Sequence, residues 1–561
     1  MRNEKNLILD SLLLGVVGAL SAQVFTFLLN LCQNFFLTWM AGYTPPGLPN
    51  EGGRLAQVIG SHGLYLIPLV TALGGLISGL LVYTFAPEAE GHGTDSVVKA
   101  FHRAGGYIRP RVAPIKMLAS AITIGSGGSA GREGPIAQIT ATVGSIYATL
   151  SHRSDEERRL IVLIGMAAGL SAIFRSPIGT AFFAVEVLYG RMEFEGRALL
   201  YTMLASIVAY AVNSLFVGWE PLFRVPADIG VASIFGYLWY VLLGLASGLI
   251  ATILPFVFYS VRDLFHSIAI PPHIKPAVGG LLVGLIAIAL PQVLGGGYGW
   301  IQEAINGGLT AKLFLALLFA KIIAFSLTVS SGGSGGVFAP SLFVGAMLGG
   351  FIAQLFNLPQ AGLVIVGMAA VFGGAARVPI ATLLMVTEMT GGYQLLVPAA
   401  LAVMLSYLIQ VKLSSGIKYK SLYEAQVPGP DDSPAHYVGE VQSALRLLDE
   451  HRVSASTEIG HLELQSLLQS GVGVDLSDGK QLTIAALKPE SPCTGKPIKA
   501  GCLYEPGDTL EIVAIMRGKE VLLPHPEIVL RAGDRILFIT TPHGRERLSR
   551  HFSDIPKEEK N

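Results

Sequence analysis

Two segments of this chain occur twice at nearly one spacing, and that duplication constrains its fold more than any other feature. SGGSAGREGP at 126–135 returns as SGGSGGVFAP at 331–340, an offset of 205. GMAAGLSAIFRSPIGTAFFAVEVL at 165–188 returns as GMAAVFGGAARVPIATLLMVTEMT at 367–390, an offset of 202. The second pair aligns without gaps and keeps GMAA, an arginine (Arg175, Arg377), Pro-Ile (Pro177, Pro379) and a glutamate (Glu186, Glu388). Two independent matches at nearly one spacing make residues 1–424 two related halves.

The duplicated part is also apolar. The 561-residue chain is 51% hydrophobic and only 14% charged, where a soluble domain carries about 25% charge. The deficit lies in 1–424, while 425–561 reads as ordinary soluble sequence. A membrane body with an aqueous tail follows. A helix spans a bilayer with about 20 apolar residues. Segments near 8–37, 64–86, 196–216, 232–260, 274–291, 311–327 and 395–412 qualify. Those at 113–123, 134–150, 159–173, 177–190, 335–356, 361–373 and 379–390 are short or cut by Gly and Pro. Broken helices at membrane depth survive where their ends line a cavity. The basic, then apolar N-terminus runs on too long for a signal peptide and reads as a retained first helix.

In duplicated transporters the substrate site lies where corresponding segments of the halves meet. Here those segments are Gly-rich turns, each opening an apolar helix with a proline in its first turn, where no donor is lost. A helix N-terminus presents unpaired N–H groups and a partial positive charge, and so favours an anion. Two such ends would bind an anion without a buried lysine or arginine. The same glycines could serve close helix packing, but packing does not explain why both copies keep Ser-Gly-Gly-Ser and the proline. Gly125 to Ala130 also fits a loose GxGxxA, yet the strand and βαβ unit of a nucleotide site are missing. Net charge is zero, so nothing suggests nucleic-acid binding. The three cysteines, Cys32, Cys493 and Cys502, have no zinc spacing and are too few for a disulfide framework, which fits a reducing cytoplasm for the tail.

GREGP at 131–135 and GGVFAP at 335–340, with APEAEGHG at 86–93, EMTGGYQLLVP at 388–398 and SLYEA at 421–425, resemble the signatures of the CLC family of chloride channels and chloride/proton exchangers. The resemblance covers about 1–424. It implies an α-helical polytopic membrane protein with inverted internal repeats, working as a homodimer with one pore per subunit. It also implies that Glu133 is the gating residue. A lone carboxylate at a helix N-terminus competes with the anion for the same N–H groups when charged and releases the site when protonated; pairing with Arg132 is the plainer alternative. The anion site would be drawn from His92, Gly93, Gly131, Arg132, Gly134, Val337, Phe338 and Tyr423, although Tyr419 lies close enough for that last assignment to slip. Symmetric placement of Glu186 and Glu388, each eleven residues after Arg175 and Arg377, suits structural pairing better than transport.

Two positions depart from the family pattern. The first loop reads Gly91-His92-Gly93-Thr94-Asp95, with His92 where the family carries a serine that donates to chloride. The imidazole could donate one hydrogen bond, and attract anions when protonated, or turn away and leave the backbone to bind. The second departure is Val187, where exchangers of the family carry an internal proton-transferring glutamate. Valine there favours a voltage- or pH-gated channel; an antiporter lacking that glutamate is the alternative. A potassium path would need TVGYG-like carbonyl rings, which do not occur.

Residues 425–440 are a Pro- and Asp-rich linker, followed by an amphipathic stretch near 441–470. GKPI at 495–498, IVAIMRG at 512–518 and LRAGDRILFI at 530–539 resemble the C-terminal lobe of RCK/TrkA potassium-transport regulators. That lobe implies either a sensor of a small regulatory ligand or a dimerisation clamp. The sequence thus predicts a transport domain over 1–424, a connector over 425–480 and a small α+β domain over 481–553. The chain is expected to be no enzyme and to use no cofactor or metal. Chloride and possibly protons would be its cargo, the inner membrane its place, and the cytoplasm the side of its tail.

Overall fold

The computed structural model describes residues 2–227, 229–231 and 233–430, and further on 433, 474–475, 481–498, 510–517, 520–522, 524–541, 548 and 551–553. The amphipathic stretch expected near 441–470 lies outside the described residues, as does Cys502. The chain divides into two compact units, 1–99 with 106–430, and 100–105 with 431–561.

The membrane unit repeats one helical order. Its first half comprises α1 (Arg2–Gln33), α2 (Ile67–Phe85), α3 (Thr94–Arg103), α4 (Val112–Gly125), α5 (Glu133–Leu150), α6 (Asp155–Phe174), α7 (Pro177–Glu186) and α8 (Gly196–Val217). The second comprises α9 (Ile234–Ser267), α10 (Lys275–Ala289), α11 (Tyr298–Ile305), α12 (Ala311–Ser330), α13 (Phe338–Leu355), α14 (Gln360–Ala376), α15 (Pro379–Thr390) and α16 (Leu396–Leu413). A short hairpin, β1 (Tyr43–Thr44) with β2 (Val58–Ile59), lies between α1 and α2. Seven helical spans among the described residues are long and apolar enough to cross a membrane. One of them, α13, was expected among the broken segments; it runs 18 residues because its proline sits in the first turn rather than inside. The short helices α3 and α11 were not anticipated, since their hydrophobic runs are too short to signal a span.

Packing within each half rests on glycine. In α5 a Cβ on Gly144 would meet Ile161 O at 2.7 Å on α6, and in α13 one on Gly349 would meet Leu363 O at 2.0 Å on α14. Close helix packing is therefore a real use of helix-interior glycines, distinct from those in the turns. Prolines open α7 and α15, and a capping box of Ser154 and Glu157 opens α6.

In the second unit the strands β3 (Val474–Asp475), β4 (Gln481–Leu487), β5 (Glu511–Arg517), β6 (Glu520–Leu522), β7 (Arg535–Thr540) and β8 (Phe552–Ser553) form an antiparallel sheet. Its order is β3-β4-β7-β5-β6, with β8 also on β4. Ala485, Ile515, Ile536, Phe538 and Phe552 are buried in its core. Asp534 receives Arg517 through Nε at 2.9 Å and a terminal nitrogen at 2.7 Å, and the Arg531 amide at 2.8 Å. Cys493 is disulfide-bonded, against the expectation of reduced cysteines; three are too few for a framework, but one bridge needs only two.

Candidate anion site at the meeting of the two repeats

The duplicated turns meet. Gly131 N–H donates to Gly336 O at 2.8 Å and Gly336 N–H returns to Gly131 O at 2.7 Å, an antiparallel bridge. Helices α5 and α13 each begin two residues beyond it, at Glu133 and Phe338, so their N-termini share one seam. A third turn joins them, with Gly335 N–H donating to Gly91 O at 3.1 Å. The carbonyl of His92 rests on Gly134, where a Cβ would lie 1.9 Å from that oxygen. Glycine at 134 is required by this approach. His92, Arg132, Glu133, Val337, Phe338 and Tyr423 are all buried.

Glu133 lies across the seam. One carboxylate oxygen accepts from the Tyr298 hydroxyl, and the other is buried with no hydrogen-bond partner among the described residues. The carboxylate thus stands at the N-terminus of α5, beside the bridged turn that opens α13, where first-turn amides favour an anion. Arg132 does not serve as its ion-pair partner. The guanidinium pairs with Glu51 and lies 5.5 Å from the Tyr298 ring centre.

Across the seam, the His92 ring stands 5.5 Å from that of Tyr423 and 6.2 Å from that of Phe258. Phe338 packs on Phe174 at 4.4 Å and Phe372 at 4.2 Å, and Phe183 links it to Tyr423. Tyr423 is held by its neighbours: Leu422 N–H donates to Ala375 O, Tyr259 hydroxyl donates to Leu422 O, and Ala425 N–H donates to Asp95. Tyr419 instead stacks on Tyr259 at 4.3 Å and donates to Asp263. Of the two tyrosines, Tyr423 is the one that meets the loop.

Two cavities reach this seam. One of about 300 Å³ ends at Gly91, His92 and Gly93 and is lined further by Glu90, Asp95 and Arg262. The other, of about 790 Å³, ends at Ala130, Arg132 and Tyr298. Glu133 follows Arg132, which lines the larger cavity, and its carboxylate accepts from Tyr298, another residue of that lining.

The glutamates of the Pro-Ile repeats are reciprocal helix caps. Glu186 accepts from Ile380 and Ala381 N–H at 3.2 and 2.7 Å at the start of α15. Glu388 accepts from Ile178 and Gly179 N–H and from Ser176 hydroxyl at the start of α7. Their partners are these N-termini rather than the arginines. Arg175 and Arg377 end α6 and α14 in left-handed conformation, at φ 54° and 57°. Arg175 donates to Glu220 O and Asn50 O, and Arg377 to Gln410 and Ser414. Val187 is buried just past α7, and its carbonyl accepts from Gln426 at 3.1 Å.

Sequence reasoning missed three supports. Lys116 donates to Ala89 O and Gly91 O at 3.0 and 2.7 Å, and Lys321 to Val293 O and Gly295 O at 2.8 and 2.7 Å. The lysines are themselves a repeat pair at offset 205. They brace equivalent turns, since Gly91 and Gly93 (φ 66° and 86°) match Gly295 and Gly297 (φ 57° and 82°). Tyr298, the third support, follows the second of these turns as Thr94 follows the first. A lone lysine inside an apolar helix was the available signal, because such residues are functional candidates by default.

Comparison with known proteins agrees with this geometry. The voltage gated chloride channel family matches residues 74–411, and the TrkA-C domain matches 482–553. The chain is 31% identical over 364 residues to the H(+)/Cl(-) exchange transporter ClcA of Salmonella agona, covering 62% of this chain and 76% of that one. It is 32% identical over 434 residues to the chloride channel protein CLC-e of Arabidopsis thaliana, covering 71% and 59%. A slow cyanobacterial Cl-/H+ antiporter of known structure superposes with a TM-score of 0.64 at 19% identity, over 74% of this chain and 96% of that one. This chain belongs to the voltage gated chloride channel (CLC) family, as a multi-pass membrane chloride transporter that carries a TrkA-C domain.

Proposed function

We propose that the protein exchanges chloride for protons, with Glu133 both barring the anion path and carrying the proton. The observation that supports this most is the buried carboxylate of Glu133, which opens α5 beside the Gly131–Gly336 bridge and accepts from Tyr298. Charged, it holds the place of the anion; protonated, it gives that place up. His92, Gly93, Gly131, Gly134, Val337, Phe338 and Tyr423 would surround the ion, with Arg132 drawing anions towards the larger cavity. Relatives named as exchangers add support.

A passive channel is the second reading, favoured by Val187, which is buried and cannot carry a proton. Purified protein in liposomes separates the two. Exchange predicts that an imposed chloride gradient drives protons uphill; chloride flux with no uphill proton movement would make the protein a channel. We further assign a homodimer, an inner-membrane location and a cytoplasmic TrkA-C domain that senses a small ligand or clamps the dimer.

A further inference from the structure

The exchange reading leaves one step without a carrier. Protons must reach Glu133 from the side of Tyr423, and Val187 cannot pass them. The titratable groups lining the 300 Å³ cavity on that side include Glu90, His92, Asp95, Arg262, His266 and Lys275. Several are already engaged. Asp95 accepts from Ala425 N–H, Arg262 pairs with Glu424, and Lys275 donates to Phe265 O. His266 lies on α9, outside the turn that touches α5, while Glu90 adjoins Gly91 at the start of that turn.

His92 differs in three respects. It is 93% buried, with 7% of its surface exposed, yet its Nδ1 has no partner among the described residues. A buried polar nitrogen left so is rare and calls for an explanation. Its backbone carbonyl rests on Gly134, the residue after Glu133. It lines the cavity and also belongs to the turn bonded to the seam, through Gly335 N–H and Gly91 O.

We infer that the His92 imidazole is the proton station between this cavity and Glu133, taking the part that Val187 cannot play. This rests on the exchange reading. In the step, a ring nitrogen takes a proton from cavity water and becomes imidazolium. It then yields that proton along the anion path to a carboxylate oxygen of Glu133, which becomes a neutral carboxyl while the ring returns to its neutral form. No other reactant is needed. The charged groups around the ring couple the step to the anion. Burial, first, and then Lys116 from α4 and Arg262 from α9 oppose a positive ring; Asp95 from α3 and Glu90 line the same cavity, and Tyr423 stands beside the ring. A chloride arriving beside the ring adds the negative charge that offsets both cations, so proton loading follows anion arrival.

The test uses the full-length protein in liposomes and compares wild type with His92→Ser and His92→Gln, neither of which titrates near neutral pH. The readout is the number of protons moved per chloride. We expect that ratio to fall towards zero in both variants. An unchanged ratio in either variant overturns the proposal. Loss of all chloride flux in both variants also overturns it, because His92 would then serve the anion path alone. Wild-type protein that moves chloride without protons refutes the exchange reading itself, and is told apart because the failure precedes any substitution.

Discussion

Gly131 and Gly336 exchange both of their backbone hydrogen bonds, at 2.8 and 2.7 Å, and so tie the first turn of α5 to that of α13. Residues 205 positions apart in sequence become neighbours across the centre of the membrane unit. Two helix N-termini then point their unpaired amides at one small volume, and the only carboxylate in the duplicated turns, Glu133, occupies it. Each consequence below can be measured.

Glu133→Gln should leave chloride flux independent of pH, because glutamine imitates the neutral carboxyl at all pH values. In wild type, flux should rise as pH falls, since protonation removes the charge that competes with chloride. Flux assays in liposomes across about pH 4 to 8, the range that brackets carboxyl and imidazole titration, check this. A variant that keeps the wild-type pH response would remove Glu133 from the gate.

Tyr298→Phe deletes the hydroxyl that donates to Glu133. A hydrogen bond to a charged group is worth about 1.5–3 kcal/mol, and Tyr298 favours the charged carboxylate. Its loss should therefore move the midpoint of acid activation to higher pH, by about one unit or more. An unmoved midpoint would mean that the contact does not matter to the gate.

Gly134→Ala should be costly, since the new Cβ would lie 1.9 Å from His92 O and both turns are tied to the rest of the seam. We expect a loss of about 1–3 kcal/mol in stability, read as a lower melting temperature in detergent, with weaker chloride binding by calorimetry. Gly416→Ala, with no atom near its Cβ, is the control and should behave as wild type.

Lys321→Met strands the carbonyls of Val293 and Gly295, a penalty of about 1–3 kcal/mol for each buried group left unpaired. That turn leads directly into Tyr298. The variant should melt earlier and shift acid activation in the same direction as Tyr298→Phe. Early melting with an unchanged activation midpoint would make Lys321 a purely structural brace.

How much of this was legible in the sequence follows from how strongly each half repeats the other. The Ser-Gly-Gly-Ser turns and the Pro-Ile helices repeat many identities, so the pseudo-symmetry, the helix ends and the paired Glu186 and Glu388 could be read directly. The reciprocal capping could not, because it depends on which helix each glutamate faces. Equivalent turns at 91–93 and 295–297 share only two glycines, too little to stand out, and with them Lys116, Lys321 and Tyr298 went unseen. The ends of α3 and α11 were hidden for the opposite reason: amphipathic helices of ten and eight residues carry no membrane-length signal. Choosing Tyr423 over Tyr419 needed the packing of the segment after α16, which periodicity does not encode.

The most direct test of the account is anomalous diffraction from crystals of Glu133→Gln grown in bromide. A halide held by the two helix ends predicts a bromide peak within about 3.5 Å, hydrogen-bonding reach for a large anion, of amides at Gly134 on α5 and at Phe338 or Ala339 on α13. Bromide bound elsewhere in a variant that still transports chloride would contradict it.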